Sequence, residues 1–368
     1  MTETQSDEFW MAHALGLAAL GLTTTMPNPR VGCVIVRDGQ NVGEGHHVRA
    51  GTGHAEVHAL AAAGDRARGA TVYVTLEPCS HYGRTPPCAE ALIAAKVARV
   101  VCAIEDPNPK VAGRGLARLA AAGIDVRSGV LSQDAEALNR GFFKRMSTGR
   151  PWLTLKLASS LDGATAMASG ESQWITSPAA RADVQRARAE RCAILTGVGT
   201  VQADDPSLTV RLEGTERQPD RVVLDTHLNT PADARMLSLP GATWILHGNE
   251  APEARRAALT ATGARLVVLP RDAAGHLDLT AVMIWLGQQA YNEVWAEPGA
   301  TLAAALLQLS LVDELWLYQA PVLLGAATRP LFSAQLDRLA EGLAFSVMDV
   351  RSVGPDLRLQ LRPNEPGL

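Results

Sequence analysis

The segment GHAEVHAL at 53–60, followed by TLEPCSHYGRTPPC at 75–88, holds the residues on which the reading of this chain turns. Together they have the shape H-x-E…P-C, in which one imidazole and two thiolates hold Zn2+ and the glutamate stays free for proton transfer. His54, Cys79 and Cys88 are the expected ligands, and Glu56 the expected catalytic acid–base. Three protein ligands leave one tetrahedral position open for water, whose pKa zinc lowers to about 7. A carboxylate moving protons there is worth about 10²–10⁴ in rate. A closed zinc site that only staples the fold would recruit His58, His81 or another cysteine as fourth ligand. The glutamate two residues from a ligand fits open-site proton chemistry better. His58 is then expected to be packed or hydrogen-bonded, and Cys33 and Cys102, inside VGCVIV and VVCAI, to be core.

Outward from this segment, helical and strand patterns alternate. Helices are predicted at 9–22, 54–63, 89–95 and 115–122, and strands at 31–37, 71–76, 97–104 and 125–128. The basic, glycine-containing run GFFKRMSTGRP at 141–151 reads as a connection, which places a domain boundary between 1–148 and 149–368. Beyond it come strands at 152–159, 193–196, 221–225, 243–247, 265–269, 293–296 and 314–320, a turn and short strand ending near Val210, and helices at 178–189, 253–262, 279–289 and 301–309. Both halves are α/β, and they share no repeat.

Composition narrows the function class. With 368 residues, 47% hydrophobic and 20% charged, the chain can bury two cores. A formal net charge of -4, with Lys and Arg scattered, gives no footprint for a polyanion, so no nucleic-acid partner is expected. Five cysteines do not form a secreted disulfide framework. The apolar stretch from Met11 to Leu22 follows Glu3, Asp7 and Glu8 rather than basic residues, so it reads as a first helix and not as a leader. No run reaches the roughly 18–20 apolar residues that cross a bilayer, and a cytoplasmic protein acting on small molecules is expected.

The second half carries three loops that follow strands. They lie in LKLASSLDGATAMASGESQWITS at 155–177, ILTGVGTVQADDPSLTVR at 194–211 and VWAEPGATLAAALL at 294–307. The first is suited to placing polar groups at a strand's carboxyl end, the second could let backbone N–H groups approach a phosphate, and in the last a helix N-terminus could receive a pyrophosphate. None is the G-x-G-x-x-G of a Rossmann unit, and each alone is weak. On sequence alone, Arg188 could be a solvated charge of its helix and Trp174 a core aromatic.

Eight residues separate Cys79 from Cys88, where the common cytidine deaminase pattern has two. That loop, with PNPRVGCVIV at 27–36 and EDPNPKVAGRG at 105–115, closely resembles the deaminase half of the bacterial bifunctional riboflavin-pathway deaminase–reductases. LKLASSLDG, SGESQWIT, TGVGTVQADDP, LDTH and AEPGATLAAALL resemble its reductase half. The resemblance implies an N-terminal cytidine-deaminase-like three-layer α/β/α domain followed by a C-terminal dihydrofolate-reductase-like α/β domain. It implies zinc and NADPH as cofactors, and as substrate a diaminopyrimidinone bearing a phosphoribosylamino group, deaminated and then reduced at its ribose. Substrate contacts are implied at Asn28, His47 and Arg84, and in the second half at Lys156, Ser172, Arg188, Leu208, Arg211 and Glu297. NADPH contacts are implied at Ala158, Trp174, Thr200, Asp204 and Thr226, and along Gly299, Ala300, Thr301, Leu302, Ala303, Ala304 and Ala305. Pro298 stands where the family usually has a small residue.

Two other readings compete: a nucleic-acid deaminase with an accessory domain, which the acidic charge and the long loop oppose, and a non-catalytic zinc scaffold, which would need Glu56 shut away with no open coordination position. Apolar helix faces fit a homo-oligomer, dimer or tetramer.

Overall fold

A computed structural model describes residues 6–80, 87–108 and 111–364 of the chain. It divides into two compact units, Met1–Gly149 and Arg150–Leu368.

The first unit runs α1 Asp7–Ala19, β1 Gly32–Arg37, β2 Gln40–His46, α2 Ala55–Ala63, β3 Thr71–Val74, α3 Cys88–Ala95, β4 Arg99–Cys102, α4 Arg114–Ala121, β5 Asp125–Ser128, α5 Ser132–Leu138 and α6 Arg140–Thr148. Its sheet has the order β2-β1-β3-β4-β5, with β1 antiparallel to both neighbours and the rest parallel. The inner strands β1, β3 and β4 are buried at consecutive positions because both of their faces are covered. Cys33, Ile35, Val72, Val74, Val100 and Cys102 pack against Ala55, Ala59, Ala89, Leu92 and Leu119 of α2, α3 and α4. Val34, Val36, Tyr73 and Val101 point the other way, onto Trp10, Met11 and Ala14 of α1. The period of two along each strand thus builds three layers.

Strand β2 is not among the elements expected from the sequence. Its residues QNVGEGH lack apolar alternation, yet Asp38 and Gly39 before it take φ values of 52° and 74°, as a type I′ hairpin turn requires. Gly45 lies in β2 because α2 crosses it closely: a Cβ there would sit 2.5 Å from the His58 Cβ and 2.8 Å from the Ala59 nitrogen. The run at 141–151 is also corrected. Residues up to Thr148 are helical and bury Phe142, and the helix ends on Gly149 in the left-handed conformation. The glycine marks the C-terminal stop of a helix, which is its usual use.

The second unit runs β6 Trp152–Ser159, β7 Ala164–Met167, α7 Pro178–Ala189, β8 Ala193–Gly197, α8 Val198–Asp204, β9 Asp220–Leu224, β10 Thr243–His247, α9 Glu253–Ala261, β11 Arg265–Val268, α10 Leu279–Gln288, β12 Glu293–Ala296, α11 Ala300–Gln308, β13 Glu314–Gln319, β14 Thr328–Pro330, β15 Phe345–Val353 and β16 Asp356–Pro363. Nine strands form one sheet in the order β11-β10-β9-β8-β12-β6-β13-β16-β15. Those from β11 to β13 are parallel, so their carboxyl ends share one edge, where ligands bind in open α/β sheets. One face buries Leu153, Leu155, Leu195 and Val294 under α10 and α11. The other buries Ile194, Val223, Ile245 and Trp295 against Ala180, Val184 and Leu259 of α7 and α9. Where a turn and short strand were expected after β8, residues 198–204 form α8. The antiparallel pair β15 and β16, joined through Gly354 at φ 63°, lies beyond the last strand read from the sequence.

Candidate active sites

In the first unit, His54 is the N-cap residue of α2, Cys79 sits in the loop after β3, and Cys88 is the first residue of α3. The His54 Nδ1 lies 3.3 Å from the Cys88 Sγ and 3.7 Å from the Cys79 Sγ. These donor atoms all fall within 4.8 Å of one another. A tetrahedral zinc with Zn–N about 2.0 Å and Zn–S about 2.3 Å sets such edges near 3.6 Å, so the three side chains fit that ion. The Cys88 amide donates to the Cys79 sulfur at 3.3 Å, and hydrogen bonds to Cys88 and His54 draw the Cys79 thiol well below its ordinary range. Thiolate is the form that binds a metal.

Glu56 is the second residue of the same helix, 3% exposed, with its carboxyl against Cys88. Burial is the largest influence on it and drives the carboxyl up to about 7, so it is poised to gain and release a proton near neutrality. The ligand cluster has no fourth member among the described residues, and His58 stands exposed rather than packed. Asn28 and His47 meet beside the cluster: the Asn28 amide is 3.1 Å from His47 Nε2, while Nδ1 is held 3.0 Å from the Gly53 carbonyl. The His47 and His54 rings meet edge to face at 5.5 Å. Arg84 lies outside the described residues.

Glu77, two residues before Cys79, supports the site although no sequence pattern singles it out. Its buried carboxylate accepts from the amides of Asp106, Gly113, Gly115 and Leu116 at 2.7–3.4 Å, tying the loop before α4 to the ligand loop. The acid also complements the start of α4. Gly115 is there because a Cβ would fall 1.9 Å from the Pro78 carbonyl oxygen. Glu77→Ala strands these buried amides and is expected to cost about 3 kcal/mol or more. Urea unfolding checks this, and a change within 0.5 kcal/mol of wild type would contradict it.

In the second unit, the loops at the carboxyl ends of β6, β8, β9 and β12 surround a cavity of about 1540 Å³. Lys156, Ala158, Ser172, Trp174, Arg188 and Thr200 line it, as do Asp204, Leu208, Arg211, Thr226 and Glu297. So do Pro298, Gly299, Ala300, Thr301, Leu302 and Ala305. Ala303 and Ala304 do not; their side chains are buried in the core-facing side of α11. The Ala303 amide is already bonded to the Gly299 carbonyl, so the amides aimed outward belong to the turn before it. Pro298 leaves this start intact, with Gly299 as an extended N-cap.

Arg188 is no solvated charge. It is 8% exposed, and its guanidinium grips Glu297 with both arms, Nε to Oε1 at 2.6 Å and Nη2 to Oε2 at 2.8 Å, while Nη1 donates to the Thr209 carbonyl. Trp295 adds its indole N–H to Oε1 at 2.8 Å. Burial alone would raise the Glu297 carboxyl, but Arg188, with Lys156 and Trp295, holds it down at about 2. Burial lowers the Lys156 pKa, partly countered by Glu297. Trp174 is 66% exposed beneath the Arg181 guanidinium at 4.4 Å, so it is not a core aromatic. The Ser172 hydroxyl faces Asp204 at 3.4 Å.

Because the folded pKa of Glu297 is depressed, its contribution to stability is full above the ordinary value of 4.5 and is lost as pH falls toward about 2. In Glu297→Gln the buried Arg188 loses its charged partner, a cost of about 3 kcal/mol at neutral pH. The gap between wild type and variant should therefore narrow on acidification through that window. Denaturant midpoints at several pH values measure it, and a gap that widens toward acid would contradict the assignment.

These two arrangements define a protein that pairs a zinc-dependent deaminase unit with a reductase unit. Residues 4–104 match the cytidine and deoxycytidylate deaminase zinc-binding region, and residues 151–359 match the RibD C-terminal domain. The riboflavin biosynthesis protein RibD of Escherichia coli is 55% identical over 96% of this chain and 99% of its own length. A solved structure of Acinetobacter baumannii RibD shares 48% identity and superposes with a TM-score of 0.91, covering 98% of this chain and 99% of that one. A Thermotoga maritima structure described as a diaminohydroxyphosphoribosylaminopyrimidine deaminase/5-amino-6-(5-phosphoribosylamino)uracil reductase is 31% identical, with a TM-score of 0.86 over 97% of this chain and 99% of that one. The chain belongs to the RibD family: it is a bifunctional deaminase and reductase of riboflavin biosynthesis, with a cytidine-deaminase-like first domain and a dihydrofolate-reductase-like second. Zinc in the first and NADPH in the second are its cofactors.

Proposed function

We propose that residues 1–148 hydrolyse the amine at position 2 of 2,5-diamino-6-(5-phosphoribosylamino)pyrimidin-4(3H)-one, and that residues 149–368 reduce the ribose of the resulting uracil to a ribityl chain. The observation that carries the first step is the buried Glu56 beside a three-ligand cluster. Zinc held by His54, Cys79 and Cys88 supplies the Lewis acidity that makes water nucleophilic at neutral pH. Glu56 takes the proton that water gives up and delivers it to the departing amine, so that water and the amine become carbonyl and ammonia. Asn28 and His47 orient the pyrimidine, and Arg84 meets the phosphate.

In the reductase unit, NADPH supplies a hydride and the protein supplies alignment. Lys156 and Arg211 hold the sugar phosphate, with Ser172, Leu208 and the Arg188–Glu297 pair shaping the substrate side. Ala158, Trp174, Thr200, Asp204 and Thr226 receive the cofactor. The segment 299–305 presents the start of α11 to its pyrophosphate, with Ala303 and Ala304 backing that turn from within. Asp204, which lines the cavity and faces the Ser172 hydroxyl at 3.4 Å, is our candidate for orienting the ribose or handling a proton near the carbon that accepts hydride.

No described helix is long and apolar enough to cross a membrane, and we place the enzyme in the cytoplasm. The edge strand β15 exposes Val347, Met348 and Val350, which supports a homo-oligomer, because a bare apolar edge seeks a partner. Product analysis tests the reading. Enzyme given the diaminopyrimidinone and NADPH should yield a compound with one amine replaced by oxygen and two hydrogens added to the sugar. Recovery of unchanged ribose with NADPH present would refute the second step.

A further inference from the structure

Arg211 reaches the cavity from a stretch of chain that belongs to no strand. Residues 205–212 lie between α8 and β9 without joining the sheet, so their backbone groups need other partners. Side chains supply them. The Gln218 amide pairs with both backbone groups of Val210, Oε1 accepting from the nitrogen at 2.8 Å and Nε2 donating to the carbonyl at 2.9 Å. A side-chain amide carries the donor and acceptor of a peptide group, so Gln218 does for Val210 what a residue on a neighbouring antiparallel strand would do. On either side of Val210, Arg188 Nη1 donates to the Thr209 carbonyl at 3.0 Å, and Gln185 Oε1 accepts from the Arg211 nitrogen at 2.9 Å. Leu208 enters this strap at φ 47°, a conformation that a leucine keeps only where its surroundings impose it.

We propose that Gln218 is a positioning residue of the reductase: by clamping Val210 it fixes the strap, so that Arg211 stands where it meets the sugar phosphate. The inference rests on the assignment of Arg211 to that phosphate. Leu208 and Arg211, on either side of Val210, line the cavity, and so does Gln185, but Gln218 does not. Gln218 therefore acts on a ligand only through the strap. The Arg211 guanidinium has no carboxylate bonded to it among the described residues, and burial, with Arg188 beside it, lowers its pKa against the pull of Glu297. Such a cation gains from an incoming phosphate. The gain depends on geometry, because a charge-assisted hydrogen bond is short and directional, and a loose strap would have to be ordered as the ligand binds, at the expense of affinity.

The test is steady-state reduction, by the full-length enzyme, of 5-amino-6-(5-phosphoribosylamino)uracil and of its counterpart lacking the phosphate. Wild type, Gln218→Ala, Arg211→Ala and the double variant are compared. Gln218→Ala should raise KM for the phosphorylated substrate about tenfold with kcat kept, because binding felt equally by substrate and transition state moves KM alone. For the counterpart, kcat/KM should stay at the wild-type level. Arg211→Ala should raise KM about ten- to hundredfold, and adding Gln218→Ala to it should change nothing further, since the strap then has no guanidinium to aim. An unchanged Kd for NADPH shows that the variants are folded. Should Gln218→Ala fail to fold, Gln218→Glu keeps the acceptor for the Val210 nitrogen, loses the donor, and should give the same selective rise in KM. Losses of equal size on both substrates, or a Gln218→Ala loss that adds in full to that of Arg211→Ala, would overturn the proposal and leave Gln218 a stabilising residue only. An Arg211→Ala variant with wild-type KM would instead strike the phosphate assignment, and the proposal with it.

Discussion

Replacing Glu56 with glutamine is expected to lower the rate of ammonia release by about 10²–10⁴, or roughly 3–5 kcal/mol of barrier. Glutamine keeps the shape of the side chain but can neither take a proton from water nor return one to the leaving amine. Because the residue is buried beside Cys88 rather than bound among the ligands, zinc content should stay at the wild-type level. Reduction of separately supplied 5-amino-6-(5-phosphoribosylamino)uracil should continue, since the residues of that chemistry all come from the other compact unit. Metal analysis and the two rates measured side by side check this. A variant that keeps more than a tenth of its ammonia release would remove Glu56 from the proton path.

Withdrawing the metal should have the second large effect. A chelator, or Cys88→Ala, takes away the Lewis acid and with it ammonia release to background. It also cuts the tie among the start of α2, the loop after β3 and the start of α3. A ligand present at a thousand times its Kd stabilises the folded state by about 4 kcal/mol, so the melting transition of the first unit should fall by several degrees while NADPH oxidation persists. Readdition of zinc should restore ammonia release in the chelated wild type and not in Cys88→Ala. Full ammonia release by the metal-free protein would contradict the site.

Much of the fold and of the metal cluster is legible in the sequence. His54, Glu56, Cys79 and Cys88 could be read because a metal constrains residue type and spacing at once, and the apolar strands because both faces of each sheet are covered. What escaped has physical reasons. Strand β2 carries Gly43 and Gly45 where α2 lies close, so its packing signal is the absence of side chains; the Asp38–Gly39 turn was the clue available. Helix α6 looked like a connection because its only glycines sit at its second residue and just past its end. Glu77 gave no pattern of its own, since its partners are backbone amides some 29 to 39 residues away. The pairing of Arg188 with Glu297 spans 109 residues and joins two elements whose adjacency only the sheet order reveals.

The most direct test of the whole account is one assay on metal-analysed protein, following ammonia and NADPH absorbance after addition of the diaminopyrimidinone ribose phosphate. The account predicts ammonia release with NADPH withheld, and NADPH oxidation that begins only once NADPH is added and follows deamination. Folded, zinc-loaded protein that gives neither signal would contradict it, and so would oxidation of NADPH that precedes any loss of ammonia.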